Sequence, residues 1–325
     1  MRWVKKCVRM AVLVFLVSAA AFLLVSMSPL DPLTTNVGQT ALGSMSQEQI
    51  EQLQAYWGVG VPPVKRFLSW AGDFLRGDMG ISLLYRQPVA KVIWTKLANS
   101  LWLLSAAWLL SGLFGFLLGI LAGIRRESAA DRLITSYALL TASTPSFWLA
   151  MVFLMLFAIG LGWFPIGLSV PIGVEASGVT TADRIRHAFL PGLTLALTGI
   201  SHIALHTREK MLEVMESEYV MFARARGESP GRIVLHHGIR NLILPGITLQ
   251  FASISEIFGG SVLVEQVFSY PGLGQAAVTA GLGSDVPLLL GITVITAVIV
   301  FAGNLAADLL YEAVDPRIRR GRRQT

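Results

Sequence analysis

The stretch EYVMFARARGESPGRIVLHHGIRNLILPGIT, Glu218 to Thr248, decides how this chain is read. It opens polar and arginine-rich, ends in an apolar run around Pro245, and is flanked on both sides by segments apolar enough for a bilayer. From about Arg208 to Arg226 helix formers abound and neither proline nor glycine occurs, so the preceding helix is expected to run on through this region. Gly227 then breaks it. Ser229 followed by Pro230 reads as an N-cap with proline at the first helical position, opening a second short helix to about His237. Ala223, Ala225 and Gly227 leave room for another backbone, while Arg224 and Arg226 offer forked contacts to carboxylates. The residues alone fit a docking knuckle or a solvated helical hairpin equally well.

The rest of the chain says where such a loop would stand. Of 325 residues, 54% are hydrophobic and 14% charged, against about 25% charged in soluble domains. This is the composition of an integral membrane protein. The one cysteine, Cys7, allows neither an internal disulfide nor a cysteine metal site. The net charge of +6 comes from clusters at the ends of apolar runs, which is how membrane topology is written and not a nucleic-acid patch.

Apolar stretches approaching the roughly 20 residues of a span fall at about Met10–Met27, Leu101–Ile124, Leu133–Phe164, Phe189–Leu205, Leu242–Val264 and Pro287–Tyr311. Six spans are expected. The fourth, interrupted by Pro191, Gly192, Gly199 and His202, is the weakest and is placed inside the bundle. With the N-terminus in the cytoplasm, 18 of the 26 Lys and Arg residues fall on the cytoplasmic side, so both termini are expected there. The basic start followed by a long apolar core is read as an uncleaved first span. Residues 1–98 then form the first helix plus a long extracytoplasmic segment, 99–315 a five-helix core containing the loop 208–241, and 316–325 a basic tail.

In the extracytoplasmic segment, Ser46 and Gln49 form a capping box, and Tyr56, Trp57, Phe67, Trp70 and Phe74 pack it into a cap or lay it along the interface. Gly112, Gly115, Gly119 and Gly123 make a small-residue stripe for close helix packing. Trp102, Trp108 and Trp148 are taken as belt anchors at span ends.

The Glu218–Thr248 string resembles the cytoplasmic loop of binding-protein-dependent ABC importer permeases of the dipeptide, oligopeptide and nickel group. Other strings are similar to the same family in order along the chain: GDMGIS at 77–82, TPSFWLA at 144–150, GGSVLVEQVFSYPGLGQ at 259–275, DVPLLLG at 285–291 and DPRIR at 315–319. Glu228 departs from that pattern, where an apolar residue is common, and His236-His237-Gly238 makes the second loop helix less regular.

The resemblance implies an all-α permease of the type I importer fold in a bacterial or archaeal plasma membrane. It implies a second permease subunit, two ABC ATPase subunits that bind the ATP, and an extracytoplasmic binding protein. Glu218, Tyr219, Ala223, Arg224, Ala225, Arg226, Gly227, Ser229, Arg240, Asn241 and Pro245 would form the ATPase-coupling loop. The chain holds no phosphate-binding G-x-x-x-x-G-K-[ST] run, so hydrolysis is assigned to partners and no cofactor is expected here. Neither H-E-x-x-H nor G-x-S-x-G occurs, which leaves an intramembrane hydrolase without a catalytic set. A stand-alone secondary transporter is the remaining rival; its usual internal repeats are not evident.

Ionisable groups inside spans default to function. Glu256, in an apolar run with a Glu-x-x-Gly-Gly pattern, and His202, four residues from His206 on one helix face, are the candidates for the translocation path. They favour nickel or a metal chelate narrowly over short peptides as cargo. Asp308 and Glu312 are expected to pair with loop arginines.

Overall fold

The computed structural model describes residues 2–27, 32–57, 59–174 and 178–314. The expected string at 315–319 and the basic tail lie outside the described residues, as do the side chains of Asp308 and Glu312. The described chain is helical, with one isolated bridge between Ile81 and Pro88. It separates into two compact units, Met1–Ser100 with Pro271–Phe301 and Leu101–Tyr270 with Ala302–Thr325.

The first unit begins with α1 (Arg2–Ser26), the short helices α2 (Pro32–Val37) and α3 (Gln39–Gly43), then α4 (Gln47–Trp57) and α5 (Pro63–Leu75). The box before α4 forms as the sequence predicts: the Gln49 amide donates to Ser46 Oγ at 3.3 Å and the Ser46 amide to Gln49 Oε1 at 2.9 Å. Phe67 and Trp70 of α5 join Phe22 of α1 in an apolar cluster with Val286 and Leu290. The unit also holds the start of α6 (Val89–Ile124), α14 (Leu273–Leu282) and most of α15 (Val286–Val314).

Two strings about 200 residues apart in sequence prove to be one contact. The fully buried Asp285 accepts from the Ser82 hydroxyl at 2.6 Å and the Leu84 amide at 3.0 Å, and from the Leu288 amide at the start of α15. A buried carboxylate needs several donors to offset its lost hydration; the Ser82 hydroxyl and the Leu84 amide tie the 77–82 string and the residues just after it to Asp285, while the Leu288 amide is supplied from within the 285–291 string. Gly291 matters for the same contact, since a Cβ there would meet Val89 and Ile93 at 2.8 and 2.9 Å.

The second unit takes the rest of α6 and adds α7 (Ala129–Ala142), α8 (Ser146–Phe153, continuing as a π-helical stretch to Gly160), α9 (Thr181–Met215) and α10 to α13. The helices are α10 (Glu218–Ala225), α11 (Pro230–Ile233), α12 (Arg240–Ala252) and α13 (Ile254–Val267). Among the described residues, four helical stretches are each long and apolar enough to cross a bilayer, and two bent pairs raise the number to six if each pair is one span.

The bends are where the single long spans of the sequence reading fail. The expected span Leu133–Phe164 turns by 103° between α7 and α8, because Pro145 cannot extend the helix and restrains the residue before it. Ser143 and Thr144 hydroxyls donate to the carbonyls of Leu139 and Leu140 at the α7 end, satisfying groups the break exposes. The span expected at Leu242–Val264 bends by 41° at Ser253. By contrast the stretch read as weakest, Phe189–Leu205, lies within one continuous 35-residue helix, α9. Pro191 sits buried inside it, and Thr180 with Asp183 closes a full capping box at its start.

The glycine stripe packs α6 on α9: a Cβ at Gly115, Gly119 or Gly123 would strike Ile203, Thr207 or Met211 at 2.5–2.7 Å. Trp108 does not act as a belt anchor. Its indole Nε1 donates to the Gln250 carbonyl at 2.7 Å and its ring meets Phe251 edge-on, so it holds α6 to α12.

Candidate functional site

Two places along α9 bring the candidate residues together. At its C-terminal end, the helix does not run through to Arg226 as predicted. It stops at Met215, and the chain turns at Glu216 and Ser217, whose hydroxyl donates back to the Val214 carbonyl at 2.5 Å. α10 follows, and Gly227 ends it with φ of 80°, a conformation that costs a side-chain-bearing residue strain. Pro230 opens α11 as expected, but the Ser229 side chain makes no capping bond. Instead of a separate short helix, α11 passes through a π-helical turn, Val234–Ile239, directly into α12. That turn coincides with the irregular His236-His237-Gly238. A Cβ at Gly238 would lie 2.7 Å from Met211 Cε, so the end of the Met211 side chain would have to shift to admit one.

These pieces close over a core of their own. Val220 and Ala223 of α10, Ile233 of α11 and Leu242 of α12 enclose Met211 and Val214 of α9 together with Ile120 of α6. Ala223, expected at a docking surface, is therefore corrected to a core residue: it is fully buried within the chain. Ala225, Gly227, Arg224 and Arg226 are exposed. So are Met221 and Phe222, at 60% and 70%, and Leu235 at 63%. Sequence reasoning missed Met221 and Phe222, although the spacing of Val220 and Ala223 on one face of α10 places their neighbours on the other.

The polar residues of the knuckle are organised around Glu228. Arg226 Nη2 donates to its carboxylate at 2.8 Å and His237 Nε2 stands 3.4 Å from the other oxygen. The two departures from the family string thus lie against each other. Partial desolvation acts to raise the Glu228 carboxyl, but the hydrogen bonds and charges of Arg226 and His237 outweigh it and hold the group below its ordinary value. Asn241 donates to the His237 carbonyl at 2.7 Å across the π turn. Tyr219, Arg232 and Arg240 join Glu228 and His237 around a shallow recess of about 580 Å³. Glu218 begins α10 and Pro245 lies inside α12.

The second place lies one to two turns before Thr207. His202 Nε2 is 3.7 Å from Glu256 Oε1, with both side chains about half exposed, so the two candidates for the path do meet. They border a cavity of about 230 Å³ that includes Thr141 and Thr144 near the end of α7, Thr198 and Gly199 of α9, and Ser253 at the α12–α13 bend. Glu256 is not deep in an apolar helix as the sequence suggested. The bend at Ser253 puts it in the first turn of α13, where the helix dipole favours a carboxylate. The His206 ring packs edge-on against His202 at 4.9 Å. Among the described residues, no three His, Cys, Asp or Glu side chains gather as a metal site.

Between the two places α7 is tied to α9. Asp131, buried near the start of α7, receives Arg208 Nε at 2.5 Å and Nη2 at 2.9 Å, a two-pronged pair. It also accepts from the Glu127 amide and the Thr135 hydroxyl. About two turns further along, Arg126 pairs with Glu216 at the end of α9. Arg208 and Arg226 are thus engaged within the knuckle unit, by Asp131 and Glu228.

Residues 115–320 match the family described as binding-protein-dependent transport system inner membrane component. The chain is 35% identical to the oligopeptide transport system permease protein AppB of Bacillus subtilis, over 93% of this chain and 94% of that one. It is 31% identical to the di/tripeptide transport system permease protein DppB of Pseudomonas aeruginosa, over 95% of each. It is also 31% identical to the glutathione transport system permease protein GsiC of Escherichia coli, over 97% of this chain and 98% of that one.

Proposed function

Because this chain belongs to the family of binding-protein-dependent transport system inner membrane components, we propose that it forms one wall of a peptide path and couples it, through the Glu218–Asn241 knuckle, to ATPase subunits. The observation that carries this reading is the layout of α9. His202 borders the hydroxyl-edged cavity, while Met211 and Val214, nine and twelve residues on, are locked in the knuckle core. At 1.5 Å per residue that is about 14–18 Å of one rigid helix. A partner that moves the knuckle moves the cavity wall with it, and the Asp131–Arg208 pair carries α7, with Thr141, along.

The exposed faces fit the roles. Met221 and Phe222 are exposed on α10, with the exposed Arg224 and Arg226 following them in the chain; apolar and arginine side chains together are what protein interfaces use. The cavity of about 230 Å³ is below the roughly 300–1,000 Å³ of sites that enclose a small ligand. It is read as half a path, completed by a second permease subunit, with an extracytoplasmic binding protein delivering cargo and two ATPase subunits driving it. Both termini are placed in the cytoplasm, with six spans counted by taking each bent pair as one.

For the cargo, the names of the relatives favour short peptides over nickel or a chelate, reversing the narrow preference of the sequence. Glu256 is suited to a peptide α-ammonium, and the hydroxyls of Thr141, Thr144, Thr198 and Ser253 to its amides. The test is uptake by the reassembled transporter with its binding protein. Glu256→Gln is expected to lower dipeptide uptake about tenfold, a change of about 1.4 kcal/mol, at unchanged thermal stability. Uptake that persists without ATP, or that follows nickel and ignores peptide, would defeat the reading.

A further inference from the structure

Helix α5 divides its surface into three arcs. Phe67, Trp70 and Phe74 face inward, and Phe67 lies against α1, its ring centroid 5.8 Å from Phe15 and 5.4 Å from Phe22. Lys65, Arg66, Ser69 and Asp73 form a polar arc that borders a cavity of about 390 Å³. The third arc, Val64, Leu68 and Leu75, is apolar and bare, at 68%, 61% and 86% exposure. Spaced four and seven residues apart, these three share one stripe.

The level of α5 along α1 says what covers that stripe. Phe15 and Phe22 are seven residues apart, about 10.5 Å along the helix, and Phe67 touches both. Phe67 therefore meets α1 about 11 Å before its end at Ser26, well within the roughly 15 Å depth of one hydrocarbon leaflet. At that level α1 itself exposes Leu16, Leu23 and Leu24, so the bare stripe of α5 continues an already lipid-type surface. The charges do not contradict this depth. The Arg66 guanidinium reaches back over the Phe22 ring at 6.0 Å, and long basic side chains lead their charge to the surface while their stems stay apolar. The arc carries Lys65 and Arg66; the flanking Arg76 stands 3.5 Å from Asp73, and Asp78 borders the same cavity.

We propose that α5 is an interfacial membrane helix whose Val64–Leu68–Leu75 stripe is immersed in the acyl chains of the outer leaflet, anchoring the segment that follows the first span to lipid. This surface is distinct from the peptide path and from the knuckle. A helix of this kind holds by buried apolar area plus attraction of its basic arc to phosphates.

The test uses the full chain with its transport partners in lipid nanodiscs, in a Cys7→Ser background, with single cysteines at Leu68 and Ser69. An impermeant maleimide is expected to label Leu68→Cys about tenfold more slowly than Ser69→Cys. A fluorophore at position 68 is expected to be quenched by lipids brominated on their acyl chains, and one at position 69 by aqueous iodide. Equal labelling of the two positions overturns the proposal. Shielding of position 68 without bromolipid quenching, or shielding that arises only when the binding protein is added, overturns it as well, since the cover would then be protein.

Discussion

At Met211 and Val214 helix α9 is enclosed by its own chain, whereas at His202 the same helix borders an open cavity with hydroxyl side chains among its lining. The knuckle is complete inside and incomplete outside: Val220 and Ala223 are buried, and Met221 and Phe222 stand bare. The cavity is the reverse, with His202 and Glu256 about half exposed at its border. A body that must transmit force has to be rigid within itself and sticky only at its rim. A path that must take up and release cargo has to stay unfinished until a second wall arrives. The Asp131–Arg208 pair joins the two.

Cutting that joint has the largest expected effect. Asp131→Ala leaves Arg208 partly buried without its carboxylate, at a cost of about 3–5 kcal/mol. Thermal unfolding of the purified chain should show a lower Tm, and the reassembled transporter should hydrolyse ATP with little uptake. A variant with normal Tm and normal coupling would mean that α7 and α9 need no tie.

Next come the two faces of α10. Phe222→Ala is expected to weaken ATPase-subunit binding by about 2 kcal/mol, roughly thirtyfold, with Tm unchanged. Ala223→Leu should do the opposite: overpacking against Val214 and Met211 costs about 1–3 kcal/mol of stability. If both variants lost partner binding at full stability, the inner and outer faces would not be distinct.

Much of this was legible in the sequence, and the failures have physical causes. The all-helical membrane fold, the breaking role of Gly227 and the α6 glycine stripe follow from composition and local chemistry, which neighbours do not override. Glu256 and His202 were singled out because charge in an apolar run is costly, and the fold does bring them together. What failed depended on tertiary partners. Ala223 looks like a contact residue until Val214 and Met211 are seen against it. Pro191, by contrast, reads as tolerable inside the bundle, and it is buried there within α9. The 103° turn at Pro145 is passed over when the segment is read as one hydropathy window, although Thr141, Ser143, Thr144 and Ser146 beside the proline mark a break and hydropathy carries no direction. Asp285 and Ser82 were each noticed within a string, but nothing local says that the strings meet.

Gly227→Ala sits one step lower in effect. Space is open around it, so only the strained φ of 80° matters, at about 1 kcal/mol. ATPase stimulation should fall modestly, and Gly227→Asn, which tolerates this conformation better, should recover part of it. Equal loss in both variants would assign the effect to a partner contact and not to the turn.

The smallest effect concerns Glu228, where the family pattern expects an apolar residue and this chain has a carboxylate against Arg226 and His237. The folded carboxyl lies below its ordinary value of 4.5. A depressed carboxyl contributes stability above that ordinary value and loses it as the pH falls through the folded-state value. Glu228→Gln should therefore unfold at a slightly lower temperature than the parent at pH 5.5. The margin should close only below about 4.5, where the parent carboxylate takes up its proton. Tryptophan fluorescence of the two chains across that range reads the difference. A gap that stayed constant down to pH 3 would show that the side chain acts by packing alone, and the Arg226–Glu228–His237 contact would then contribute nothing to the knuckle's rigidity.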